Sequence, residues 1–272
     1  MVQMNDEEIK EWQSLLSADW PEIEIYILNN TDSTNNWLHK RRESLKGKDV
    51  IALTDFQTAG RGSGSNHWES ETGKNLIFSL QVCPNALLPN RVFFLSEVMS
   101  LAVCMGLEQY VQYVGKSKDN KRFRIKWPND IYYADGKVCG MLIENNIQSR
   151  RVDNSVMGVG INVNQTVFLS DAPNPLSLAL ILGMDSSRLS VLRSVLACFR
   201  DCYAMLEQEQ YETLHALYLS KIYRFGEWHN YKDSEGILEG AITNIKPDGH
   251  LIIRDRDGKE RAYAFGEIKY MI

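Results

Sequence analysis

Near Leu219 the pattern of the chain changes. From about Leu176 to Leu219 apolar residues recur at helical spacing, whereas EGILEGAITNIKPDGHLIIRDRDGKERAYAFGEIKYMI alternates apolar with polar and turn residues to the end. A chain that switches period once and does not switch back folds as a mixed body followed by a small all-β unit. The expected division is a body over residues 1–221 and a barrel over 222–272, with 44% hydrophobic residues in 272 to supply a core.

Within the body, a first amphipathic helix is expected with Asp6 as its cap and Ile9, Trp12, Leu15 and Leu16 on its apolar side, ending at Pro21 before the strand EIEIYIL. A second helix carries Trp37 and Leu38 and is capped by Asp32 or Ser33. VIALTD and NLIFSLQV read as strands on either side of the glycine- and serine-rich TAGRGSGSNHW, and an apolar helix spans about Pro89 to Val114. After a polar loop, Lys116 to Lys121, come the strand RIKW, an interruption at Pro128, and IYYADGKVCGMLIENN with a hairpin turn at Asp135 and Gly136; SVMGVGINV follows as a strand.

Charge and composition narrow the function classes. The net charge is −5, which disfavours binding to nucleic acid or anionic lipid through bulk charge. The acidic start MVQMNDEEIKEW is unlike a signal peptide, no apolar stretch is read as a membrane span, and a cytoplasmic location is expected. The roughly 30 residues before Ser33 are too few for a helix-turn-helix module. Cys83, Cys104, Cys139, Cys198 and Cys202 show no CxxC pair or zinc-ligand spacing and read as reduced thiols.

Three segments carry candidate chemistry. In Thr58 to Trp68, glycines allow close backbone approach to a ligand, and Arg61 between them offers a fork of donors for phosphate or carboxylate; alone it reads equally as a surface charge. In RIKWPND, Lys126 ends a strand at a point where Pro128 forces a turn. A lysine there can neutralise charge developing on an α-phosphate, although strand-end lysines are commonly just solvated. Asp130 suits magnesium binding, proton acceptance from an amine, or turn capping. Gly158 and Gly160, two apart, leave one face of a strand bare for a flat ligand or mark a bulge.

Taken in order, DSTN (Asp32 to Asn35), TDFQTAGRG (Thr54 to Gly62), KWPND (Lys126 to Asp130), DGKVCGMLIE (Asp135 to Glu144) and GVGINV (Gly158 to Val163) resemble the biotin protein ligase family, in its short form without an N-terminal DNA-binding module. The resemblance implies an α+β fold: a mixed-sheet catalytic domain of the class II aminoacyl-tRNA synthetase and biotin ligase type, then an SH3-like barrel. It implies ATP-dependent activation of biotin to biotinyl-AMP and transfer to a lysine of a biotin carboxyl carrier protein or carboxylase subunit, with Mg2+ accompanying ATP and neither DNA nor membrane as partner.

By position, the resemblance places biotin contacts at Ser33, Thr34, Asn35, Gln57, Gly60, Arg61, Gly62, Ser63 and Lys126, with Gly158 and Gly160 beside the bicycle. It places Trp68 near adenine, Lys137 near the phosphates, Asn162 in the ATP site, Asn129 or Asp130 near magnesium or the acceptor lysine, and catalysis on Lys126, Arg61 and Asp130. One departure stands out: where many members carry a second basic residue after GRG, this chain has Ser63, Gly64 and Ser65, so loop closure is left to Arg61 and backbone amides. Two other readings follow from related proteins, a biotin-sensing transcriptional regulator and a lipoate or octanoate transferase. A gel-shift assay and a substrate panel separate them from the ligase.

Overall fold

The structure is a computed structural model that describes residues 4–62, 64, 66–84, 87–115, 122–169 and 174–272. The polar loop Lys116 to Lys121 and the serines Ser63 and Ser65 lie outside the described residues. Among those described, the chain builds a seven-stranded sheet in the order β1-β2-β3-β7-β6-β5-β4 and a five-stranded antiparallel sheet in the order β11-β10-β9-β8-β12. This is the α+β architecture the sequence implies.

The strands of the large sheet are β1 (Glu24–Leu28), β2 (Val50–Thr54), β3 (Leu76–Val82), β4 (Phe123–Lys126), β5 (Asp130–Tyr133), β6 (Gly136–Gln148) and β7 (Arg151–Ile161). Only β1 and β2 run parallel; every other neighbouring pair is antiparallel. VIALT and LIFSLQV are buried along their whole length, as apolar runs rich in β-branched residues favour in central strands. One face of the sheet packs against α3 (Phe93–Tyr113) and α5 (Arg188–Glu207) through Ile51, Leu53, Phe78, Leu80, Met157, Val159 and Ile161. The other face holds the short helix α2 (Thr34–His39), whose Leu38 packs on Val50, Ala52 and Val156. Gly106 lets α3 and α5 touch backbone to backbone, because a Cβ there would fall 2.7 Å from Val195 Cα.

Several expectations shift. Helix α1 (Asp6–Asp19) is capped by Asn5, not Asp6: the Asn5 side chain accepts from Glu7 and Glu8, and the Glu8 carboxylate accepts from the Asn5 backbone N–H. Ser33 caps α2 in backbone position but makes no side-chain cap. The β5–β6 turn lies at Ala134 and Asp135, with Ala134 at φ 50°, while Gly136 already pairs with Tyr133; its missing Cβ makes room for Leu176. The stretch Pro89–Tyr113 is long and apolar enough to cross a membrane, contrary to the sequence expectation, but 67% of its apolar window is buried inside the protein as the core helix. All five cysteines are free thiols.

The second sheet comprises β8 (Trp228–Lys232), β9 (Ile237–Ile245), β10 (Leu251–Asp255), β11 (Glu260–Tyr263) and β12 (Lys269–Tyr270). A small all-β unit with one apolar face can close a core of its own. Instead Tyr231, Ile242, Ile245, Leu251, Ile253, Tyr263 and Ile268 belong to the same apolar cluster as the body. The connecting segment is stitched to the exposed edge of the large sheet, with Ile125 N donating to Lys221 O and Tyr223 N to Ile125 O. Helix α6 (Tyr211–Ser220) leads into that segment.

Candidate active site

Register sets the floor of the site. Ser79 stands opposite Gly158, Gly158 opposite Leu142, and Gly160 between Ile77 and Gly140, so a serine and three glycines share the face on which α2 sits. The N-terminus of α2 drops its polar side chains onto this floor. Thr34 donates to Gln57 Oε1 from its backbone N (2.8 Å) and its hydroxyl (3.1 Å). Ser79 Oγ lies 2.6 Å from Thr34 Oγ1 and 2.5 Å from Asn35 Oδ1. Asn35 Nδ2 donates to Glu144 Oε2 at 2.7 Å, and a Cβ on Gly158 would fall 2.3 Å from Asn35 Oδ1.

Glu144 gathers the rest of this network. Arg61 Nη2 donates to both its oxygens at 2.6 Å, and His39 Nε2 lies 3.0 Å from Oε2. The His39 hydrogen bond, with those of Asn35 and Arg61, pulls the carboxyl down to about 2 against the opposing effect of burial. The loop carrying Arg61 doubles back on itself: Gly62 N donates to Asn66 O and Trp68 N to Gly60 O. Gly60 is required there, since a Cβ would meet the Trp68 carbonyl at 2.7 Å.

That turn lays the Trp68 indole over the glycine floor. A Cβ on Gly160 would lie 2.3 Å from Trp68 Cε2, and one on Gly140 would lie 2.9 Å from Cζ3 and 3.3 Å from Lys137 Nζ. The indole N–H is buried and has no acceptor among the described residues. Lys137 pairs with Asp130 at 2.7 Å across the β5–β6 hairpin. Lys126 stands opposite Asp130 in the β4–β5 hairpin, whose turn is Trp127, Pro128 and Asn129 with a cis Trp127–Pro128 peptide.

Lys126 makes no hydrogen bond or ion pair among the described residues. Its ammonium is 4.7 Å from the Tyr270 ring centroid and 5.5 Å from that of Tyr132. Burial lowers its pKa, with Asp130 opposing the shift and Lys137 and Arg224 adding to it. The hairpin is anchored from two sides: Trp127 Nε1 donates to Gly249 O (2.9 Å) and Tyr218 Oη to Pro128 O (2.7 Å). Asn129 Nδ2 donates to Met141 O, and Asn162 Nδ2 to Lys137 O and Leu176 O, so both amides hold backbone in place.

Thus Ser33, Thr34, Asn35, Gln57, Gly60, Arg61 and Gly158 come together, as do Gly160, Trp68, Lys137, Asp130 and Lys126. Gly62 lies in the Arg61 turn and Ser63 is outside the described residues. Sequence reasoning missed Ser79, His39, Gly140, Glu144, Tyr132 and Tyr270. Ser79 and Glu144 had a usable signal, being polar residues inside strand patterns, and Gly140 stands in the same segment as Glu144.

Among the described residues no group of three or more His, Cys, Asp or Glu side chains could hold a metal ion. The groups present suit an organic ligand bearing both polar edges and an anion: polar side chains and an indole seated on a glycine floor, and a lysine with no carboxylate partner among the described residues.

A family model described as the biotin/lipoate A/B protein ligase family matches residues 27–162, half of the chain and most of the floor just described. The chain belongs to the biotin/lipoate A/B protein ligase family. Among relatives of this family, the bifunctional ligase/repressor BirA of Bacillus subtilis (strain 168) is 28% identical over 237 residues, covering 85% of this chain and 70% of the relative. The biotin--[acetyl-CoA-carboxylase] ligase of Paracoccus denitrificans is 27% identical over 240 residues, covering 86% of this chain and 95% of the relative. A biotin protein ligase from Aquifex aeolicus, solved in complex with biotin and ATP, superposes with a TM-score of 0.72 at 26% identity, covering 91% of this chain and 99% of the other.

Proposed function

We propose that this chain is a biotin protein ligase that joins biotin to ATP, forming biotinyl-AMP and pyrophosphate, and then passes the biotinyl group to a lysine of a biotin carboxyl carrier domain. The carrying observation is the arrangement of one surface: a polar nest of Ser33, Thr34, Asn35, Gln57 and Arg61 bordering a glycine floor, with an unpaired Lys126 further across the same sheet. The family match and the Aquifex relative with biotin and ATP support the same reading.

In this reading the ureido edge of biotin meets Ser33, Thr34 and Gln57, whose polar atoms would reject an analogue lacking that edge. The carboxylate oxygen attacks the α-phosphorus, and the bond to the β-phosphate oxygen breaks as pyrophosphate leaves. Lys126 stabilises the negative charge that accumulates on the α-phosphate oxygens. Trp68 and Asn162 lie with the nucleotide and Lys137 with its phosphates. Mg2+ would accompany the phosphates, with Asn129 or Asp130 at the hairpin as its protein-side group. In the second step the carrier amine, having lost a proton, attacks the acyl carbon; an amide forms and AMP departs. Arg61, held by Glu144, closes the loop over the adenylate and keeps water out.

The deciding experiment is pyrophosphate release by the purified protein with ATP and biotin, lipoate or octanoate. Release with biotin alone is expected, and release with lipoate or octanoate in its place overturns the substrate assignment.

A further inference from the structure

A lysine removed from water normally takes a carboxylate partner, because desolvation without compensation is costly. Lys126 does not. The nearest acid across its hairpin, Asp130, is engaged by Lys137 at 2.7 Å. In place of a carboxylate, the ammonium faces two rings, Tyr132 from β5 and Tyr270 from β12, the last strand of the second sheet. An aromatic face attracts a cation through its quadrupole yet carries no net charge, so no counter-ion at this face neutralises the ammonium before an incoming anion arrives. A carboxylate in the same place would cancel it.

Tyr270 is itself held in position. It pairs with Tyr231 in the β12–β8 ladder, meets that ring edge-on with centroids 5.2 Å apart, and stacks on Tyr223 at 6.3 Å. The neighbouring Met271 is tied twice, its N donating to Asn230 O and its carbonyl accepting from Arg224 Nη1 at 3.0 Å. The Tyr270 hydroxyl is buried with no hydrogen-bond partner among the described residues, so the ring and not the hydroxyl is what this position uses.

We propose that Tyr270 is a positioning residue that seats the Lys126 ammonium on its ring, so that the second sheet holds the lysine of the first in its working place. This rests on the biotin-activating reading above.

The test compares Tyr270→Leu with Tyr270→Phe in the full-length protein. In biotin-dependent pyrophosphate release, Tyr270→Leu is expected to lower kcat on the order of tenfold with the KM for biotin within about twofold, and Tyr270→Phe to restore kcat. A purely structural loss would move KM as well and would not be rescued selectively in kcat. An unchanged kcat in Tyr270→Leu overturns the proposal, as does a Tyr270→Phe variant equally impaired. A second measurement needs no activity: competitive acetylation of lysines, read by mass spectrometry, should label Lys126 faster in Tyr270→Leu than in the parent. If the parent itself releases no pyrophosphate with biotin, the functional reading fails, and the labelling result still decides whether Tyr270 seats the lysine.

Discussion

Arg61 and Lys126 sit on the same sheet face in opposite electrostatic circumstances, and their substitutions should fail differently. Lys126 has no acidic partner to leave behind, so Lys126→Ala is expected to keep the fold and abolish adenylate formation, a loss of about 3 kcal/mol or more in transition-state stabilisation. A variant that forms biotinyl-AMP at the parent rate would show the lysine to be a bystander. Arg61 is clamped to Glu144 by two 2.6 Å contacts, so Arg61→Ala opens the loop instead of deleting the chemistry. More biotin should appear on bystander proteins relative to the carrier, and an unchanged product ratio would count against loop closure. Glu144 supplies a pH test. Its carboxyl is lowered from 4.5 to about 2, so its contribution to stability is complete above pH 4.5 and fades as pH falls towards 2. Urea midpoints of the parent should therefore drop across that window more steeply than those of Glu144→Gln; parallel curves would remove Glu144 from the account. Arg61 was legible from its glycine setting; Glu144 stood out only as a polar residue inside a strand pattern, and nothing in that pattern announces a partner 83 residues away.

At the scale of elements, strands were easier to read than their ends. VIALT and LIFSLQV announce themselves as buried runs, whereas the α1 cap moved one residue, from Asp6 to Asn5, because the deciding feature was the reciprocal bond with Glu8. The KWPND turn was legible as a turn; what fixes it was not. Its anchors come from α6 and from the second sheet, through Tyr218 to the Pro128 carbonyl and through Gly249 to the Trp127 indole. Tyr218→Phe keeps the ring packed and removes only the hydroxyl, leaving a carbonyl without that partner. It should destabilise the protein by about 1–3 kcal/mol in chemical denaturation and lower adenylation through a misplaced Lys126. Parent-like values for both would mean that Trp127 alone suffices to hold the hairpin.

For the molecule as a whole, the alternation in ILEGAITNI and HLIIRDR shows which face of the second sheet is apolar, but no sequence pattern states what covers that face. The cover is the body. Trp127 inserts towards Gly249 and Phe265, Gly249 packs on Phe93 of α3, and His215 of α6 pairs with the fully buried Glu97 of α3. Removing residues 222–272 would therefore strip apolar surface from both sides of one continuous cluster, delete the Ile125–Tyr223 stitch on the edge of β4, and take Tyr270 from Lys126. An edge strand without its cover and a core without one wall favour association over folding. The expected outcome for a chain ending at Lys221 is loss of a cooperative thermal transition and loss of pyrophosphate release, not a selective defect in transfer to the carrier. Calorimetry and the biotin-dependent pyrophosphate assay on the truncated and full-length proteins check this together. A soluble truncate that melts cooperatively and still forms biotinyl-AMP at the parent rate would show that the body stands alone and that the shared core contributes little to it.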